Sequence, residues 1–261
     1  MREKHSSAAL FLLASLLLVG AGCGQATTTN TSAPQSGRPN ATFGTACANP
    51  YYPFKAGLAI TYGATAMPNN VTIPDYTLRI ASVTGTTAAI RVDMSGGIGS
   101  DMTADCVNGS IVVKGTFDLG TAMQETTKIK TTTVSQSGTY FPADAAIGST
   151  WSNEQTVRVE MTDSPIANMG PLTSSTTATS KAIANEKVSV PAGTFDALKV
   201  EVTRVTTASF AGIPGKAKPP SIPPQTSTST EWWAKGIGLV KSVTADQGTT
   251  MTVEAKSVIG Q

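Results

Sequence analysis

Apolar and polar residues alternate with a period of two along most of the chain. The clearest runs are Ile90 to Met94, Val157 to Met161 and Leu198 to Val202, where every second side chain is apolar. Because successive side chains on a strand point to opposite faces, these runs predict strands with one buried face. Thr and Ser runs also favour extended backbone, and no window carries a helical stripe. We therefore predict a mainly antiparallel β fold of roughly ten to twelve strands with few or no helices.

Turn residues separate these runs at short intervals. Thr84-Gly85-Thr86, Asn108-Gly109 and Pro191-Ala192-Gly193 each place Gly where a tight turn needs a positive φ, so they predict hairpins. The segment 213–224 is different because it contains five prolines. Proline lacks the backbone N–H that a central strand needs, so this segment is predicted to be an inserted loop.

The two halves of the chain share a faint spacing pattern. Gly57 and Ile60 are as far apart as Gly148 and Trp151, and the stretch Gly109 to Lys114 has the length of Gly236 to Lys241. Two interpretations remain open at this point. Either the fold is built from two duplicated halves, or unrelated glycine turns followed by strands happen to look alike.

The amino terminus has the order of a signal peptide. Arg2 and Lys4 precede an apolar run from Ala8 to Val19, and the small residues Gly20-Ala21-Gly22 stand before Cys23. The apolar run is shorter than the roughly 20 residues that a membrane-spanning helix requires. Residues 1–22 are therefore predicted to be removed during export.

Small residues directly before a cysteine resemble the lipobox of bacterial lipoproteins. That resemblance implies a diacylglycerol on Cys23, although Gly20 stands where Leu is usual, and an ordinary secretory signal is the alternative. We expect a lipid-anchored protein of the bacterial cell envelope, outside the cytoplasm. No acidic residue follows Cys23, since Gly24 comes next, so we expect the outer membrane if the host has one.

The mature chain divides into a tether and a domain. Residues 23–45 are rich in Thr, Ser, Asn, Gln, Gly and Pro, a composition that predicts a disordered tether. Residues 46–261 are long enough for one β domain with a sizeable core. The charge of the full chain is balanced, with 19 Lys and Arg against 17 Asp and Glu, so nucleic acid is not an expected partner.

Two cysteines remain once Cys23 is acylated. Cys47 and Cys106 belong to a chain delivered to an oxidising compartment, and we predict that they form a disulfide. Two separate buried thiols are the alternative.

Three stretches resemble a family of uncharacterised bacterial lipoproteins. They are Tyr52-Pro53-Phe54-Lys55, Val190 to Phe195, and Glu231-Trp232-Trp233 followed by Gly236 to Lys241. That family is similar in turn to the half-barrel carriers LolA, LolB, LppX and LprG. The resemblance implies a single, strongly curved antiparallel sheet or half-barrel around an apolar cavity, with no reactive group in the shared motifs.

The chemistry of the chain argues against an enzyme. The single histidine, His5, leaves with the signal peptide, so the mature chain has no Ser-His or Cys-His pair and no His-based metal site. We expect no catalytic residue, no metal and no cofactor. The first functional hypothesis is binding or carriage of an apolar, lipid-like ligand. The alternative is a non-catalytic structural or assembly lipoprotein that contacts other envelope proteins.

The tryptophans are the candidate ligand-cavity residues: Trp151, Trp232 and Trp233. Because neighbouring residues on a strand face opposite sides, Trp232 and Trp233 cannot both enter one core. One of them is expected in the cavity wall, with the proline-rich loop near the mouth of the cavity.

Overall fold

The computed structural model describes residues 47–94, 99–114, 128–162, 169–212 and 221–260. The signal peptide, Cys23 and the tether lie outside the described residues. No helix in these ranges is long and apolar enough to cross a membrane. The described elements are twelve strands: β1 (Ala59–Met67), β2 (Val71–Thr84), β3 (Thr87–Met94), β4 (Gly99–Val107), β5 (Ser110–Lys114), β6 (Lys128–Gly138), β7 (Thr150–Thr162), β8 (Leu172–Val190), β9 (Gly193–Phe210), β10 (Gln225–Ala234), β11 (Gly238–Asp246) and β12 (Thr249–Ile259).

All twelve strands form one antiparallel sheet in the order β5-β4-β3-β2-β1-β12-β11-β10-β9-β8-β7-β6. Sequence neighbours pair within β1–β5 and within β6–β12, and β12 joins the two series by pairing with β1. The sheet is curved until its ends meet. The amide of Ile111 on β5 donates to the carbonyl of Phe141, just after β6, and the amide of Tyr140 donates to the carbonyl of Ile111, both at 2.8 Å. The predicted mainly antiparallel β fold is confirmed, as a nearly closed barrel.

The inner face of the barrel is identified by contacts between strands that are far apart in the sheet order. Ala104 on β4 and Leu198 on β9 belong to one buried cluster together with Trp233 on β10. Six strands separate β4 from β9 in the sheet order, so these side chains meet only across the interior.

The first residues that the structure describes, 47–52, are fixed at one end of the barrel. Cys47 forms a disulfide with Cys106 on β4, with the Cα atoms 5.7 Å apart, which is the pair that the sequence predicted. Asn49 is completely buried. Its amide group donates to the carbonyls of Gly109 (3.0 Å) and Pro142 (3.1 Å).

Asn49 also orders the residues that follow it. Its side-chain oxygen accepts hydrogen bonds from the amides of Tyr51 and Tyr52, both at 3.0 Å. One side chain thus holds together the start of the domain, the β4–β5 turn and the segment after β6. The described residues begin at Cys47, at this end of the barrel.

The first half begins with a turn at Gly57, which has a φ of 86°. The amide of Leu58 donates to the carbonyl of Lys55 at 3.1 Å. The amide of Gly57 donates to the carbonyl of Ile80 at 2.9 Å, and the amide of Ile80 donates to Leu58 at 2.9 Å.

The second half repeats this arrangement at Gly148, which has a φ of 93°. The amide of Ser149 donates to the carbonyl of Ala146 at 2.9 Å. The amide of Gly148 donates to the carbonyl of Ala182 at 2.8 Å, and the amide of Ala182 donates to the carbonyl of Ser149 at 3.0 Å. Identical bonds at positions of equal spacing favour duplicated halves, β1–β5 and β7–β11, over chance similarity.

The proline-rich segment interrupts the path from β9 to β10. Residues 213–220 lie outside the described residues, and residues 221–224 have no regular secondary structure. The neighbouring strands end at Phe210 and begin at Gln225. The described part agrees with the inserted loop that the prolines predicted.

Candidate functional site: the barrel interior

The inner wall of the barrel differs between the two halves. In the first half the inward positions on β2, β3 and β4 are mainly apolar, including Ile80, Ile90 and Val92. In the second half, Glu231 pairs with Val200 on one side and with Ser242 on the other, so a buried acid lies on the inner face. Small polar side chains accompany it on the second-half wall: Ser174, Ser180 and Ser229. The interior is therefore mainly apolar in the first half, whereas in the second half buried polar side chains lie among apolar ones.

An aromatic cluster lies at the end of the barrel where residues 47–52 are fixed. Trp233, which is 3% exposed, forms its centre. The ring of Phe141 lies 4.8 Å from that of Trp233, and the rings of Tyr52 and Tyr140 each lie 6.1 Å from it. Trp151 joins through Phe141 at 5.3 Å. The aromatic cluster also includes Tyr51 and Phe54.

A buried ion pair lies beside this cluster. Arg204 on β9 donates through Nη2 to Oε1 of Glu231 at 2.7 Å and through Nη1 to Oγ of Ser229 at 2.7 Å. The indole Nε1 of Trp233 donates to Oε2 of Glu231 at 3.1 Å. The side chains of Arg204 and Glu231 are only 17% and 11% exposed. Both carboxylate oxygens are thus satisfied inside the barrel.

Tyrosine hydroxyl groups complete the site. The rings of Tyr62 and Tyr76 stack at 5.2 Å, and the hydroxyl of Tyr62 donates to the carbonyl of Leu239 at 2.8 Å. Tyr52, Tyr76 and Tyr140 are half-buried. Within the described part of the chain, no hydrogen bond reaches their hydroxyl groups.

The same tyrosines stay protonated in the folded protein. Burial raises the pKa of Tyr52, Tyr62, Tyr76 and Tyr140. The charge of Glu231 raises the pKa of Tyr140 further, while Arg204 lowers it. Their hydroxyls are therefore neutral groups that can donate and accept hydrogen bonds.

Residues 93–255 match the DUF3108-like family. The chain belongs to this family. No curated protein matches the sequence. Among solved structures, a protein from Bacteroides fragilis classed as exported, with a YmcC-like fold, superposes with a TM-score of 0.51 at 14% identity, over 80% of this chain and 98% of its own. A protein from Parabacteroides distasonis classed as a lipoprotein superposes with a TM-score of 0.52 at 16% identity, over 81% and 99%. At these identities the superpositions show a shared fold.

In the DUF3108-like barrel the three candidate tryptophans do not all lie on the same face of the sheet. Trp151 and Trp233 lie in or against the interior cluster. Trp232 faces the other side of the sheet, where it pairs with Lys199 and Lys241 on the neighbouring strands. The ammonium groups of these lysines lie 5.3 and 5.9 Å from its ring. Of the adjacent tryptophans, Trp233 is the one on the inner wall, and Trp232 lies on the opposite face of the sheet.

Trp232 is held on the outer face by Glu186. Its Nε1 donates to the Glu186 carboxylate. The hydrogen bond from Trp232 has the largest effect and lowers the pKa of Glu186. A hydrogen bond from Lys199 lowers it further. The N–H group and the ring face of Trp232 thus both contact polar neighbours, and the ring also packs against a second buried apolar cluster.

Sequence reasoning missed the ion pair and the tyrosines. Ser229, Glu231 and Trp233 alternate along β10, so any prediction that placed Trp233 inside the barrel also placed Glu231 there. The partner, Arg204, could not be found in this way, because it depends on the pairing of β9 with β10. No group of three or more potential metal ligands occurs in the described ranges.

Proposed function

We propose that this DUF3108-like protein is a lipid-anchored lipoprotein of the bacterial cell envelope that binds an apolar, lipid-like ligand inside its barrel. Acylated Cys23 would be the anchor, residues 23–45 the tether, and the outer membrane the location where the host has one. The order of the signal peptide supports this proposal. So does the disulfide between Cys47 and Cys106, which suits an oxidising compartment.

The observation that carries the proposal is the pairing of an apolar wall with hydroxyl groups that have no partner. A tyrosine hydroxyl that the protein leaves without a partner can donate one hydrogen bond to a ligand and can also accept one. Tyr52, Tyr76 and Tyr140 are half-buried, and their hydroxyls meet no partner among the described residues. A ligand with polar atoms at one end would supply these partners, and its chain would cover the half-buried apolar side chains of the first-half wall, such as Leu78 and Met102.

A role as a non-catalytic structural or assembly factor is the second candidate. Strand β6 (Lys128–Gly138) pairs with β7, and within the described ranges no other strand forms a ladder with it. A long sheet edge can pair with a strand of another chain. Envelope proteins would then be the partners.

A binding experiment distinguishes the two candidates. The mature chain without Cys23 would be extracted for bound lipid and titrated with 1-N-phenylnaphthylamine, an uncharged apolar dye that accepts energy from tryptophan. We expect saturable binding, with the affinity for the dye reduced in Trp233→Ala and preserved in the matched control Trp232→Ala. Absence of both co-purified lipid and saturable dye binding would refute ligand binding and favour the structural role.

A further inference from the structure

We propose that Arg204, Glu231 and the interior tyrosines form the headgroup site for an uncharged, oxygen-rich lipid, such as an acylglycerol or an acylated sugar. This inference rests on the proposed binding function and names the chemical class of its ligand. Fatty acids and anionic phospholipids are the classes it rejects.

Arg204 has more hydrogen-bond donors than partners in the described part of the barrel. A guanidinium group has five N–H donors, and Arg204 uses two of them on Ser229 and Glu231. Three N–H groups are left without an acceptor among the described residues. The hydroxyls of Tyr52, Tyr76 and Tyr140 add further donors. A ligand that matches this site must therefore be rich in hydrogen-bond acceptors.

The ion pair of the site carries no net charge. The positive charge of Arg204 is neutralised by Glu231 at 2.7 Å, so the pair has no net charge to offer an ion. An anionic headgroup would lose its hydration on entering the barrel and would be repelled by Glu231. Desolvation of an unpaired ion costs several kcal/mol, whereas uncharged ester or hydroxyl oxygens avoid this cost.

The Arg204–Glu231 pair lies between polar and apolar parts of the inner wall. Trp233 donates to Glu231 and also packs against the rings of Tyr52 and Tyr140. Leu78 and Leu239, which are only half-buried, pack against the same interior cluster as Trp233. A headgroup at Arg204 would thus leave its acyl chain against apolar wall.

The test compares two ligands that share one acyl chain. Bound 1-N-phenylnaphthylamine would be displaced from the mature chain without Cys23 by monooleoylglycerol or by oleate, at mildly alkaline pH where oleate is ionised. We expect monooleoylglycerol to displace the dye at a concentration at least about tenfold lower than oleate. Lipid extracted from the purified protein should belong mainly to the uncharged class.

A charge variant tests the role of the pair directly. Glu231→Gln keeps the shape of the side chain but leaves Arg204 with an uncompensated positive charge, so the preference should shift towards oleate by about tenfold or more. Adding Arg204→Gln to this variant restores neutrality and should remove the shift. Circular dichroism would establish that each variant is folded before titration.

The outcomes separate this inference from the proposed function. If oleate displaces the dye from the parent protein as well as monooleoylglycerol does, the headgroup assignment is overturned, while binding of apolar ligands stands. An unchanged preference in folded Glu231→Gln would also overturn it. If the dye itself does not bind, the proposed function fails. The comparison in the parent protein decides the matter even if Glu231→Gln does not fold.

Discussion

Removal of the Glu231 side chain should destabilise the protein strongly. In Glu231→Ala the guanidinium of Arg204 loses its partner at 2.7 Å, and the indole N–H of Trp233 loses an acceptor at 3.1 Å. Breaking a buried ion pair by removing one member typically costs 3–5 kcal/mol, because the remaining charge stays desolvated. Arg204 is 17% exposed, and this residual access to water places our expectation near the lower limit, at about 3 kcal/mol.

An exposed pair on the outer face provides the matched control. Asp75 and Lys256 also form a salt bridge at 2.7 Å, but their side chains are 45% and 44% exposed. Such pairs contribute about 0–1 kcal/mol, because water solvates either partner when the other is removed. Asp75→Ala should therefore change the free energy of unfolding by less than about 1 kcal/mol.

The assay is urea unfolding followed by circular dichroism and tryptophan fluorescence. With a denaturant slope of about 2 kcal/mol/M, a loss of about 3 kcal/mol lowers the midpoint by about 1.5 M. Adding Arg204→Ala to Glu231→Ala should restore part of the loss, since it removes the unpaired charge. A midpoint for Glu231→Ala equal to that of Asp75→Ala would refute the conclusion that the pair is buried and coupled. So would a double variant that is less stable than either single variant.

Three further predictions concern the rest of the molecule. Reduction of the Cys47–Cys106 disulfide should lower the free energy of unfolding by about 4 kcal/mol, because the bond closes a loop across a sequence separation of 59; urea unfolding of the oxidised and reduced forms measures it. Burial raises the pKa of all five tyrosines above the value in the unfolded chain, so stability is complete below about pH 10 and falls as the pH rises further. Tyrosinate absorbance should consequently appear together with unfolding, and ionisation of native protein with its circular dichroism unchanged would contradict this. Cys23→Ala should abolish lipid labelling and release the protein from membranes, and unchanged membrane retention would show that the lipobox interpretation is wrong.

The strands and hairpins could be predicted from local pattern, but the sheet order could not. Alternation at Ile90 to Met94 and the turn at Asn108-Gly109 mark β3 and the β4–β5 hairpin, because both features depend on residues close in sequence. The pairing of β1 with β12 and the contact of Ile111 with Phe141 join distant parts of the chain. No periodicity encodes such partners, since they are selected by packing of the whole barrel.

The candidate site was only partly predictable for a related reason. Alternation established that Trp232 and Trp233 face opposite sides, but the identity of the inward residue depended on the barrel. Nothing in the sequence distinguishes Asn49 from an ordinary loop residue, yet it is completely buried and connects three segments. Residues of this kind act through distant backbone carbonyls, which local sequence does not reveal.

The difference between the halves explains how a duplicated frame could come to bind an asymmetric ligand. The Gly57 and Gly148 turns make the same backbone hydrogen bonds, so the frame itself is repeated. On β3 and β4, which correspond to β9 and β10, the inward residues include Val92 and Ala104, both buried and apolar. Arg204 and Glu231 have no counterpart there. Because the side chains and not the backbone distinguish the halves, the preference for ligand charge should respond most to substitutions of Arg204 and Glu231 on β9 and β10, while the first half supplies the apolar wall against which an acyl chain would lie.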